Sequence, residues 1–254
     1  MEVYALQFVL FMMLFLRCTS AIVLAPVLGH SSVPVQVKAG FGVFMAFALY
    51  PIMAARGFHV DLQLGTLAVL ALQELMTGMA IGFASGLIFA GAQVAGELIG
   101  FDLGLSLATA FDPETGPNNI IGSFLYLAMV LVFLLLDGPQ FILQAIVLSY
   151  ETVPLGGLVI SGTTAEKMLQ MVGVIFVVGM KCAAPIVVAS FLLNLALAVL
   201  ARVAPQVNVF IISFPIKIGV GVLVLMAAAP ILVYAFKRLL LNFEEDLLLF
   251  VRTL

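Results

Sequence analysis

Charge is what this 254-residue chain has least of: 9% of its residues are Asp, Glu, Lys or Arg, against 64% hydrophobic. Its 10 Lys and Arg form no cluster and the net charge is −3. The basic stripe of a nucleic-acid binder is missing, which excludes nucleic acid as a partner. Cysteine is limited to Cys18 and Cys182. They lie far apart in separate apolar runs, so neither a Cys-x-x-Cys redox pair nor a zinc site is written here, and both read as small buried hydrophobes. His30 and His59 are isolated beside short polar connections, a poor basis for metal ligation or general base catalysis. The nucleophile elbow, the phosphate-binding glycine loop and the metalloprotease helix are absent, and "DPETG" at 112–116 lacks the alternating oxygen ligands of a calcium loop. No catalytic residue, cofactor or metal site is expected, and the chain does not read as an enzyme. A cleaved signal peptide is not expected either. Glu2 precedes the first apolar core and Arg17 follows it, the reverse of the order such a peptide needs.

Long apolar runs are what the sequence has instead. The mean hydropathy is +1.28, and apolar runs lie at roughly 3–29, 39–55, 64–101, 120–149, 168–201 and 207–236. About 20 such residues cross a bilayer as a helix. Backbone in lipid must satisfy its own hydrogen bonds, and the alternation of barrel strands is absent, so the reading is an all-α integral membrane protein in a single helical unit. Pro51, Pro139, Pro185, Pro215 and Pro230 fall inside the runs and predict kinks or breaks. The longest polar connection, 150–167, has the length of a loop rather than a domain.

Three features stand out from this background. Gly78, Gly82 and Gly86, then Gly96, Gly100 and Gly104, recur every four residues. They form ridges where another backbone packs closely, either within the chain or across a subunit interface. Arg17, Glu74, Glu97, Asp102, Lys181 and Lys217 interrupt apolar runs, where an ionised group costs at least a few kcal/mol unless it faces protein or water. Glu74 and Lys181 are the candidate relay pair of a secondary transporter; the alternative is buried ion pairs between helices, and no spacing forces any acid to meet any base. The stretch "LATAFDPETGPNN" at 107–119 is no lipid-facing helix. Irregular backbone at membrane depth must be buried in protein or line a water-filled cavity. The segment is therefore a substrate site with Asn118 and Asn119 as donors, a gate stoppered by Phe111 with Leu107 and Ala110, or a surface loop turning at Asp112-Pro113 and Gly116-Pro117.

The residues resemble the FliR family, the flagellar type III export gate component, called SctT in injectisomes. The likeness is carried by "QELMTGMAIGFASG" (73–86), "GFDLGLSLATAFDPETG" (100–116), "FLYLAMVLVFLLLDG" (124–138) and above all "ARVAPQVNVFIISFPIKIGVG" (201–221), and it spans most of the chain. The flagellar branch rests on "FDPETG", a weaker marker than the last string.

The resemblance implies a non-enzymatic subunit in the bacterial inner membrane, within the flagellar basal body. It would join FliP and FliQ, with FlhB and FlhA associated, in a gate for unfolded flagellar proteins. It implies a FliP-like part over 1–167, a FliQ-like hairpin over 168–240 and a tail helix over 241–254. A plug at about 105–120 would be formed by Leu107, Phe111, Asp112, Pro113 and Gly116, with Gly104 and Gly116 giving backbone freedom at its ends. Arg202, Pro205, Gln206 and Asn208 would form the hairpin tip near the cytoplasmic entrance. Arg17, Glu74, Asp102, Lys181 and Lys217 would serve buried or inter-subunit pairing. The tail, "FKRLLLNFEEDLLLFVRTL", mixes apolar and charged residues at helical intervals and predicts a surface-lying or partner-bound helix, or an unassembled tail.

Overall fold

A computed structural model describes residues 2–56, 63–105, 120–159, 162–206 and 208–254. Seven helices account for nearly all of them: α1 (Glu2–Leu24), α2 (Val35–Ala55), α3 (Leu64–Asp102), α4 (Ile120–Leu135), α5 (Gly138–Thr152), α6 (Gly162–Val203) and α7 (Val209–Val251). The chain is an all-α integral membrane protein. By length and composition α1, α2, α3, α6 and α7 are each able to cross a membrane, and α4 with α5 adds a sixth span if that pair, bent by 70°, counts as one.

Helix boundaries follow the hydrophobic runs where lipid-like character decides them and depart where specific polar contacts do. α3 starts and ends almost where its run does. α2 begins earlier, at Val35, directly after Pro34. Lys38 is tolerated in its first turn because the ammonium donates to the Gly29 carbonyl at 2.7 Å while the stem is buried. The run at 120–149 breaks at Leu136–Asp137, where Asp137 takes the left-handed conformation (φ 57°) and Pro139 falls in the first turn of α5, a position that needs no N–H. The other four prolines, Pro51, Pro185, Pro215 and Pro230, sit inside continuous helices.

α6 and α7 outrun their apolar stretches, with 42 and 43 residues. At 1.5 Å per residue each is about 60 Å long, twice the ~30 Å hydrocarbon thickness. Their polar extensions hold each other. Lys167 pairs with Asp246 at 2.9 Å, the Thr164 hydroxyl donates to the Thr253 carbonyl, and the Val159 N–H donates to the Leu254 carbonyl. The segment read as a separate tail helix over 241–254 is the end of α7. Its apolar face (Phe243, Leu247, Phe250, Val251) is buried within the chain rather than left for a membrane surface.

The helices gather into two compact units that interleave in sequence. One comprises 1–87, 137–171 and 242–254; the other comprises 88–136 and 172–241. In the first, Leu14, Cys18, Ile81, Ile146, Leu247 and Phe250 are among the buried side chains. In the second, Phe89 meets Tyr126 and Phe133 edge to face, with ring centroids 5.9 and 5.2 Å apart.

Candidate functional site

The first unit is organised around a charge. Arg17, on α1, has no exposed side-chain surface and Glu74, on α3, has 1%. The pair is bidentate: Nε donates to Glu74 Oε2 at 2.6 Å and Nη2 to Oε1 at 3.0 Å. Nη1 donates to the carbonyls of Ser149 (3.1 Å) and Val153 (3.0 Å) and to Ser149 Oγ (3.3 Å). Glu74 Oε1 also accepts the Gly156 N–H at 2.9 Å. The guanidinium carbon lies 4.2 Å from the centre of the Tyr150 ring, whose hydroxyl donates to the Leu14 carbonyl at 3.2 Å. A buried charge pair is tolerable when its geometry is good and its remaining donors and acceptors are satisfied, and that is the case here. The network joins α1, α3, the end of α5 and the loop that follows it.

Glu74 is therefore committed to Arg17, not to Lys181, and both carboxylate oxygens are engaged. The roles of Ser149, Tyr150 and Gly156 had no sequence signal. A lone arginine in an apolar run announces that it needs partners, but the acceptors come from positions far along the chain. Of the other intramembrane charges, Lys181 and Glu97 are exposed and Lys217 and Asp102 are half-buried. None of the four makes an ion pair among the described residues, and Asp102 Oδ2 is buried without a hydrogen-bond partner among them.

Glycines set the helix crossings. A Cβ at Gly78 would collide with the Arg17 carbonyl and Ser20, and one at Gly82 with the Ala21 carbonyl, so the first ridge is filled by α1. Gly86 has only the Leu24 carbonyl at 3.8 Å. In the second unit Gly96 lies against the backbone of Gly122 on α4. Gly91 packs on Val178 and Gly179 on Val94, a reciprocal crossing of α3 and α6 that the sequence reading missed because the two glycines lie on different helices. Gly100 is buried. Gly104 takes a left-handed conformation (φ 80°) just past the end of α3, and its missing side chain leaves room for the Phe214 ring, 3.2 Å from where a Cβ would stand.

The contacts Gly96–Gly122 and Phe89–Phe133 run in opposite senses along α3 and α4, so these helices form an antiparallel hairpin. The polar stretch at 106–119 is the connection of that hairpin. Leu107, Phe111, Asp112, Pro113 and Gly116 themselves lie outside the described residues. Arg202, Pro205, Gln206 and Asn208 are all exposed in the short link between α6 and α7. Among the described residues no group of three or more His, Cys, Asp or Glu is placed to hold a metal ion.

Comparison with known proteins completes the site's context. Residues 8–243 match the family described as bacterial export proteins, family 1. The chain is 33% identical over 219 residues to the flagellar biosynthetic protein FliR of Escherichia coli (strain K12), covering 85% of this chain and 83% of that protein. It is 29% identical over 228 residues to FliR of Bacillus subtilis (strain 168), covering 87% and 86% respectively. FliR of Aquifex aeolicus (strain VF5) is 29% identical over 218 residues, covering 86% and 84%. With the match running through the glycine crossings, the buried Arg17–Glu74 pair and the α6–α7 link alike, this chain belongs to the FliR family of bacterial export proteins.

Proposed function

We propose that this protein is a non-enzymatic core subunit of the flagellar type III export gate. It assembles with FliP and FliQ, and in contact with FlhB and FlhA, into a plugged conduit for unfolded flagellar proteins in the bacterial inner membrane at the flagellar basal body. The family match over residues 8–243 carries this reading. Its architecture in the proposal is a FliP-like part over 1–167, a FliQ-like hairpin over 168–240 and a closing segment over 241–254.

Residues 105–120 act as the plug. The support is chemical and positional. A stretch with two prolines, two acids and two asparagines interrupts an otherwise apolar chain, and it joins two antiparallel helices held together by glycine contact and aromatic edges. Those contacts anchor the insert at both ends, and its sequence carries no apolar period. In this proposal Phe111 is the bulky apolar stopper, and Leu107, Asp112, Pro113 and Gly116 are the other plug residues. The tip residues Arg202, Pro205, Gln206 and Asn208 face the cytoplasmic entrance.

A secondary transporter working through Glu74 and Lys181 is the competing reading. A proton relay needs a carboxylate that is free to change partner. Glu74 is already held by two bonds from Arg17 and one from the Gly156 N–H.

The test is ion and small-solute leak in cells co-expressing the chain with FliP and FliQ, comparing the intact sequence with a deletion of 109–118 and with Phe111→Ala. A large leak in the deletion, and a smaller one in Phe111→Ala, is expected. An assembled complex that stays tight without 109–118 returns the stretch to a surface loop.

A further inference from the structure

Lys181 is exposed midway along α6, a helix long and apolar enough to cross a membrane. It lies on an exposed stripe of α6 formed by Val177, Lys181, Ala184, Val188, Leu192 and Leu195, spaced three or four residues apart and all exposed. Apolar surface continues on both sides of the lysine along the helix: Phe176 and Met180 are 65% and 60% exposed before it, Val188 and Phe191 58% and 59% after it. Sliding α6 along the membrane normal to bring Lys181 to water would bring one of these apolar flanks out of the hydrocarbon with it. A lysine ammonium embedded in such a surface needs a counter-charge.

Among the described residues the chain supplies none. Its own acid at this level is Glu97: Val94 packs on Gly179, and Glu97 and Lys181 each follow that crossing within a turn. Yet both side chains are exposed and no ion pair joins them among the described residues. Arg17, by contrast, has all its needs met inside the chain and is not available to a partner.

We infer that the Lys181 stripe of α6 is a docking surface for a membrane-embedded helix of another gate subunit, and that this helix carries a carboxylate opposite Lys181. The inference rests on the export-gate reading and adds which cation reaches outward and what chemistry meets it. Small and β-branched residues along the stripe permit close helix approach, and the single ion pair fixes register, since sliding by one turn leaves both charges unpaired in an apolar interface.

The experiment co-expresses the tagged full-length chain with FliP and FliQ and measures how much of each co-purifies, with the chain's own level in the membrane read in parallel. Lys181→Arg retains assembly; Lys181→Glu lowers co-purification by about a hundredfold or more, the scale of breaking a buried pair. Reversal to lysine of one membrane-embedded acid in FliP or FliQ then restores assembly with Lys181→Glu, a rescue that misfolding does not produce. Wild-type yield for Lys181→Glu, meaning that the ammonium faces water or a lipid headgroup, overturns the inference. So does a loss that none of the acid reversals rescues. Failure of the unaltered chain to co-purify with either subunit sinks the export-gate reading instead.

Discussion

Arg17 and Glu74 show how a single residue decides the local architecture. Removing the carboxylate leaves a guanidinium buried with two carbonyls and one hydroxyl but no counter-charge, and frees the Gly156 N–H. Glu74→Ala is expected to destabilise the protein by about 3–5 kcal/mol, as breaking a buried pair does. The double substitution Arg17→Met with Glu74→Leu is expected to recover part of that, because it removes both charges together while filling the space. Thermal unfolding of the chain co-purified with FliP and FliQ in detergent checks both. If Glu74→Ala leaves stability untouched but abolishes a proton-dependent flux, the pair is a relay and the transporter reading revives. The identity of the pair was not legible in the sequence, whereas its existence was. An arginine and a glutamate in apolar runs must each find a partner, but helical periodicity speaks only about neighbours within a turn or two, and these residues are joined across two helices. Lys38 was legible in neither respect: its partner is a backbone carbonyl, which no residue type announces.

At the scale of the helices, glycine placement separates crossings from open faces. A Cβ at Gly96 meets the backbone of Gly122, which cannot rotate away, whereas Gly173, on α6, has open space around its missing side chain. Gly96→Ala is expected to push α3 and α4 apart and cost about 1–3 kcal/mol. Gly173→Ala is expected to be neutral or to stabilise by up to about 1 kcal/mol through helix propensity. Comparing the two midpoints in one detergent isolates the crossing from propensity; equal shifts in both would mean that the α3–α4 contact is looser than its geometry implies. The four-residue glycine spacing from Gly78 to Gly86 and from Gly96 to Gly100 was readable because one helix carries it, and so was the extent of α3. The break at Leu136–Asp137 was readable only through Pro139, since the residues before it are as apolar as any span. The reach of α6 and α7 beyond their runs was not readable, because polar residues there are satisfied by each other across the sequence: Lys167 by Asp246, Thr164 by Thr253. Hydropathy counts polar residues as exits from the helix, and tertiary pairing keeps them in.

For the whole molecule the question is whether it is complete alone. Exposed apolar surface does not answer it, since lipid solvates Phe44, Phe47 or Leu223 as well as a partner does. The decisive groups are the exposed Glu97 and Lys181 and the half-buried Lys217 and Asp102, which lie within candidate membrane helices and have no ion-pair partner among the described residues. Each costs about 2.5–3.5 kcal/mol at the centre of a spanning helix, so a few together rival the whole stability of a typical fold. Expressed without FliP and FliQ, the chain is expected to be degraded or to migrate as a polydisperse species on size exclusion, and co-expression is expected to give a monodisperse complex. The triple substitution Glu97→Gln, Lys181→Met and Lys217→Met separates this cause from a generally weak fold. It is expected to raise the yield of the chain expressed alone while lowering its assembly with partners. A wild-type chain that is monodisperse and long-lived by itself would show that these charges are satisfied by water or headgroups. A triple variant no better than wild type in isolation would move the cause of instability from the unmatched charges to the packing between helices.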